Sequence, residues 1–251
     1  MKVGNIRQGT GDLVRQNMLC APVCSGVDLS RLGETFECRA FTAAVPCIRT
    51  APMLRIHGYA EPSRVRVDIR AVAERMAARA QGLCQPAAWY RTLGIESRDD
   101  GMLTVGNGVV LRSREFIRLA DCDSIVAFVL TVGGALDDEV QELSKRGELL
   151  EALFLETAAW LAVEAATKAF ATFLRGKAAD RGYGLTRRFG PGYADWALAE
   201  QKLFFSLFDG VQLSVRLLES HAMIPKMSRS GMYGLRTVCR AAEILESSHE
   251  Q

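Results

Sequence analysis

The chain has 251 residues, of which 49% are hydrophobic and 24% charged, enough for one large or two small globular domains with a true core. Lysine plus arginine exceeds aspartate plus glutamate by only 31 − 29 = 2, so no strong field points to nucleic acid or an anionic membrane. The longest apolar run, residues 125–132, is strand-sized, and Lys2 and Arg7 precede no apolar signal core, so neither a membrane span nor secretion is expected and a cytoplasmic location is.

Residues 1–52 are rich in Gly, Ser, Thr and Cys and show no sustained period, so they are expected to be a poorly structured extension outside the fold. The folded unit is then expected over 53–251. Cys20, Cys24, Cys38 and Cys47 fall in this head, and Cys84, Cys122 and Cys239 bring the total to seven. An odd count with neither C-x2-C pairs nor a histidine nearby predicts scattered reduced thiols, with no metal site and no disulfide framework.

Ser63 can cap a helix whose apolar stripe is Ile69, Val72, Ala73 and Met76, with a stop at Gly82 and Pro86. Two short apolar runs, 103–105 and 109–111, flank Gly106-Asn107-Gly108, the signature of a tight hairpin. Residues 124–132 predict a buried strand broken by Gly133-Gly134, with a helix over 137–143. The longest helical pattern, 149–174, is alanine-rich and apolar on more than one face, so it should cross the core. A loop dense in Gly and Arg is expected over 176–193, then a helix over 196–208 capped by Asp195 and ended by Gly210. Val211, Leu213, Val215 and Leu217 alternate with polar residues as in a half-buried strand. After a turn at Pro225, another strand is expected over 230–238, closed by a short polar helix. Helices and strands mix without a βαβ repeat, which predicts an α+β fold with a mainly antiparallel sheet and long helices packed on it.

Most catalytic signatures are missing. Gly133-Gly134 lacks the three spaced glycines of a dinucleotide loop, and there is no P-loop, no G-x-S-x-G and no H-E-x-x-H. The three histidines, His57, His221 and His249, do not suggest a histidine-based mechanism. The informative segment is Arg188-Phe189-Gly190-Pro191-Gly192-Tyr193: a guanidinium, two glycines, a proline and an aromatic in one short loop. Proline stiffens such a loop, glycine admits close approach to the backbone, and arginine can clamp a carboxylate with paired hydrogen bonds. Those parts suit an amino-acid ligand.

About thirty residues on come Leu217-Leu218-Glu219-Ser220-His221-Ala222-Met223-Ile224-Pro225, then Ser228, Ser230-Gly231-Met232-Tyr233-Gly234. R-x-x-P-G-Y, then L-x-E-S-x-A-M-x-P and S-x-S-G-x-Y, resembles the reactivation (activation) domain of cobalamin-dependent methionine synthase in its free-standing form. The likeness is good over about 155–235, weak over 55–154 and absent over 1–52. It implies binding of S-adenosylmethionine and transfer of its methyl group to a Co(I) corrinoid. The chain has no corrinoid-binding D-x-H-x-x-G, so the corrinoid is expected on a partner, a methionine synthase lacking its own activation domain, with a flavodoxin-like electron donor. The chain would then be a methyltransferase component acting in trans. The same resemblance implies that Arg188 binds the ligand carboxylate and that Gly190 and Gly192 lie against the ligand. Tyr193 would face the corrin and serve as the catalytic residue, Tyr233 and Gly234 would line the other wall, and Glu164 would meet the ammonium or ribose. Lys226, Met227 and Arg229 make the second block more basic than is usual in the family, and its first-strand acid has no match here. Two other readings share the fold: a non-enzymatic module that docks on a corrinoid protein, and a reactivator of a different corrinoid methyltransferase.

Overall fold

In the computed structural model, which describes residues 37–106 and 108–238, the eight residues Ser124–Thr131 form the central strand of the molecule. Ile125, Ala127 and Val129 face one side and Val126, Phe128 and Leu130 the other, and all six are at most 3% exposed. That double burial explains why the run is continuously apolar where a half-buried strand would alternate.

The elements around it, in chain order, are β1 (Arg39–Thr42), α1 (Thr50–Ile56), α2 (Val67–Leu83), β2 (Ala87–Asp99), β3 (Met102–Val105) and β4 (Val109–Arg112). The central strand, β5, comes next, then α3 (Ala135–Lys145), α4 (Leu149–Ala179), β6 (Tyr183–Phe189), α5 (Gln201–Ser206), β7 (Arg216–Leu217), β8 (Met223–Ile224) and β9 (Ser228–Thr237). Six strands run in the order β4-β3-β2-β5-β9-β6, every pair antiparallel, and β1 completes a seven-stranded sheet by pairing with the first residues of β2. The expected α+β architecture with a mainly antiparallel sheet is therefore the observed one.

Two cores lie on the two faces. On one, α2 and α4 pack on Tyr90, Val126, Phe128, Leu130, Tyr233 and Leu235. Ala158, Ala159, Ala162 and Ala166 are at most 1% exposed, so the helix backbone sits close to its neighbours. On the other, Phe116, Phe189, Trp196, Phe204 and Phe208 cover Ile125, Ala127, Val129 and Met232. This second core is built from 3₁₀ turns and loops rather than long helices, and it carries the segment of interest.

Several expectations change. The fold begins before Met53: β1 pairs with β2, and Phe41 meets Phe170 and Phe173 at 5.4 and 4.7 Å between ring centroids. A four-residue strand is too short to show a period, which is why residues 37–52 read as extension; residues 1–36 lie outside the described residues. Ser63 sits in a 3₁₀ turn, Pro62–Arg64, and does not cap α2, which starts at Val67 and runs one residue past Gly82. The expected loop over 176–193 contains the last turn of α4 and all of β6. As an edge strand with two arginines, β6 hides its pattern, since only one side is paired and charge is tolerated there. Of the expected strand over 211–217, only Arg216–Leu217 pairs; Val211 and Leu213 close tight turns instead. The sequence pattern predicts no element over Ala87–Asp99, the longest strand, where Arg91 interrupts the apolar run and donates to the Leu207 carbonyl at 2.5 Å. The hairpin of β3 and β4 forms as expected, with Val105 opposite Val109, and Asn107 lies outside the described residues. So does the short polar helix expected after residue 238. Among the described residues, no helix is long and apolar enough to cross a membrane.

Burial raises the Cys84 thiol pKa to about 11, whereas Cys47 is exposed. Because the thiolate is the reactive form, brief alkylation of the native protein near neutral pH should modify Cys47 and spare Cys84. Peptide mass spectrometry reads the result, and equal labelling would contradict the packing of α2 against the sheet.

Candidate functional site

β6 and β9 pair with a bulge between Leu185 and Arg188, after which Arg188 stands opposite Tyr233 and Phe189 opposite Met232. The two backbones approach closely at this point. A Cβ on Gly231, whose φ is +151°, would lie 2.2 Å from the Phe189 carbonyl oxygen, and one on Gly190 would lie 3.1 Å from the Ser230 carbonyl oxygen. Phe189 is 5% exposed and anchors the end of β6 in the second core.

The chain then turns tightly. Gly192, at φ +84°, donates to the Trp196 carbonyl at 2.8 Å, Tyr193 N–H donates to the Gly190 carbonyl at 3.2 Å, and Trp196 N–H to the Tyr193 carbonyl at 3.1 Å. Trp196 is buried, and its indole N–H donates to Glu200 Oε2 at 3.0 Å. Asp195, expected as a helix cap, does something else: Ser113 Oγ donates to its Oδ1 at 2.5 Å and Arg114 N–H to its Oδ2 at 2.8 Å. It thereby fastens the loop to the 3₁₀ turn Arg114–Leu119. In place of the long helix expected over 196–208, the chain forms a 3₁₀ turn, Leu198–Glu200, and then the six-residue α5. The Ser113 hydroxyl and Arg114 amide hold the Asp195 carboxyl below its usual pKa.

Within this frame the Arg188 guanidinium lies under the Tyr193 ring, 4.9 Å from its centroid, a cation–π contact. Arg188 Nη1 is buried and has no hydrogen-bond partner among the described residues. An unsatisfied buried donor costs about 1–3 kcal/mol; Arg70 Nε and Arg91 Nε are in the same state, and of the three arginines Arg188 is the one that lines a described cleft. Beside it opens a cleft of about 130 Å³, lined by Glu115, Arg187, Arg188, Gly190, Tyr193 and Trp196 among others. Tyr193 is 55% exposed and forms its outer lip.

The expected site residues are thus only partly gathered. Arg188, Gly190 and Tyr193 share the cleft, and Gly192 makes the turn that presents Tyr193, with Leu198 Cδ1 3.3 Å from where its Cβ would be. Tyr233 is 3% exposed and stacks on Phe128, 5.5 Å away, so it backs Arg188 from the core side and does not line an open wall. Burial raises the pKa of its phenol, against the opposing effect of Arg188, Arg175 and Arg229. Glu164, on α4, forms an ion pair with Arg229, whose hydrogen bond lowers its pKa, and Arg188 acts on it in the same direction. Gly234 belongs elsewhere: a Cβ there would meet Cys122 Sγ and Leu119 Cδ2 at 2.6 Å, in the second core, and its N–H donates to Thr186 Oγ1 at 2.8 Å. Residue 234 faces opposite to 233 because strand side chains alternate. Sequence reasoning missed Glu115, Arg187, Asp195 in its tethering role, and Arg229 as the partner of Glu164. Only tertiary contacts reveal them.

No family model matches the chain, and no curated protein matches it. Among solved structures, it is similar to the crystal structure of the MetH reactivation domain bound to AdoHcy, with a TM-score of 0.56, 17% identity, and coverage of 79% of this chain and 78% of that one. The two share a fold.

Two measurements test this geometry. Gly210 has φ +81° but open space around it, so Gly210→Ala should cost about 1 kcal/mol from backbone strain alone. Gly231→Ala, which adds a backbone collision, should cost at least about 2 kcal/mol more in urea unfolding. Similar costs would show that the close crossing is not required. The second concerns pH. A carboxylate whose folded pKa is depressed contributes stability above its unfolded pKa, about 3.9, and loses it as pH falls through the folded value. The wild type should therefore exceed Asp195→Asn in thermal midpoint by a constant margin above about pH 5, and the margin should vanish in stronger acid.

Proposed function

We propose that the chain binds S-adenosylmethionine with its carboxylate on Arg188 and presents the methyl group to a Co(I) corrinoid carried by a partner protein, reactivating a cobalamin-dependent methionine synthase in trans. The observation that carries this reading is the buried, unpartnered Arg188 Nη1 next to the exposed Tyr193. The sequence blocks around both residues resemble the reactivation domain, and the fold is the one that domain has.

The chemistry asks little of acid–base groups. A cobalt nucleophile displaces a sulfonium at carbon, so one carbon–sulfur bond breaks, one carbon–cobalt bond forms, and no proton moves. What the polypeptide supplies is position. Arg188 fixes the amino-acid end through charge-assisted hydrogen bonds. Gly190, whose Cβ would crowd Arg188 Nη1 at 3.3 Å, keeps that nitrogen approachable. Tyr193 stands at the lip, where it can meet a macrocycle arriving from outside, and Tyr233 supports the guanidinium from behind. At about 130 Å³ the cleft accepts only the amino-acid end, so the nucleoside lies along the surface past Tyr193.

Titration calorimetry with the full chain tests this. S-adenosylmethionine should bind saturably, and Arg188→Ala should weaken binding by roughly 10- to 100-fold, the cost of losing a charge-assisted pair. With a Co(II) corrinoid partner and a reductant, the mixture should develop the methylcobalamin spectrum. Absence of binding by the wild type would overturn the reading and leave docking on a corrinoid protein as the alternative.

A further inference from the structure

The cleft has a second charged group that the resemblance did not supply. Glu115, in the first turn of the 3₁₀ segment Arg114–Leu119, lines it from the side opposite β6. Two guanidiniums hold its carboxylate, and both use the same oxygen: Arg118 Nε donates to Oε2 at 3.1 Å and Arg187 Nη2 donates to Oε2 as well. Oε1 receives no hydrogen bond from any described residue. Arg187 is itself fixed, its guanidinium 5.3 Å from the centroid of the Phe189 ring.

We propose that Oε1 of Glu115 accepts the α-ammonium of the ligand whose carboxylate rests on Arg188, so that the cleft recognises both charges of an amino-acid head group. This rests on Arg188 holding that carboxylate and names a further binding residue for the same ligand. Three observations converge on Glu115. First, Asp195 is engaged through both oxygens, with Ser113 and Arg114, and Glu164, paired with Arg229 on α4, is not among the residues that line the cleft. Second, the volume fits. A cleft of about 130 Å³ has room for several water molecules, which an ammonium, one carbon and a carboxylate can displace. Third, the two walls are fastened together. Glu115 N–H donates to Ser113 Oγ at 3.2 Å, and the same hydroxyl donates to Asp195, two residues after Tyr193. A fixed gap between a cation and an anion selects a zwitterion over a simple carboxylate, because a ligand lacking the ammonium leaves Oε1 desolvated and unpaired.

The experiment compares S-adenosylmethionine with its analogue carrying hydrogen in place of the α-amino group, by calorimetry on the full chain. The wild type should prefer the amino compound by at least about tenfold. Glu115→Gln should reduce that preference to within about threefold. Equal affinity of the wild type for both compounds, or a Glu115→Gln loss that is the same for both, overturns the role of Glu115 while leaving that of Arg188 standing. Should the wild type bind neither, both readings fall. The wild-type comparison decides the matter without a variant, so a folding defect in Glu115→Gln does not remove the test.

Discussion

The close crossing of β6 and β9 is the constraint on which the rest of the site depends. With only hydrogen on Gly231, the Phe189 carbonyl can lie where a Cβ would sit at 2.2 Å, and the edge strand is pressed onto its neighbour at the point where its bulge has changed register. From there Phe189 enters the second core, Arg188 turns back over Tyr233, and the chain must reverse through Gly190 and Gly192. The position of Arg188 is thus set by backbone contact, which is stiffer than side-chain packing. That stiffness holds the guanidinium in place although one of its donors is buried without a partner, where a looser frame would let it swing into solvent.

The second constraint is electrostatic. On the helix side Tyr233 feels the charges of Arg188, Arg175 and Arg229, and Glu164 those of Arg229 and Arg188; on the loop side Arg187 and Glu115 line the cleft with Arg188. Arg187 and Arg188 are adjacent on a strand, where neighbours point to opposite faces, yet both line the cleft. The cleft therefore wraps the outer edge of β6. Glu164 has Arg229, and Glu115 has Arg187 and Arg118, which is why the Arg188 nitrogen stands out among them.

How far the sequence could be read depends on what each segment must bury. The β5 run, the α4 pattern and the Gly106–Gly108 hairpin are local signals that survive folding, and all three form. β2 and β6 are obscured by charge: Arg91 is inside but serves a carbonyl, and the β6 arginines lie on a free edge. Asp195 has the composition of a helix cap and the position of one, but a serine brought from 82 residues away competes successfully for its carboxylate. Arg188, Gly190 and Tyr193 are legible as a set because they lie within six residues of one another. Glu115 is not, because nothing in Ser113-Arg114-Glu115 distinguishes it until the sheet folds and delivers β6 beside it.

Placement at the rim of a sheet carries one more consequence. Both faces of the sheet are sealed by cores, so the cleft could form only where the sheet ends, and Tyr193 is its last covering atom group before water. An open rim of this kind leaves the charges lining it in contact with water, where their fields are screened, and covering it would lower the dielectric around them and sharpen every charge inside.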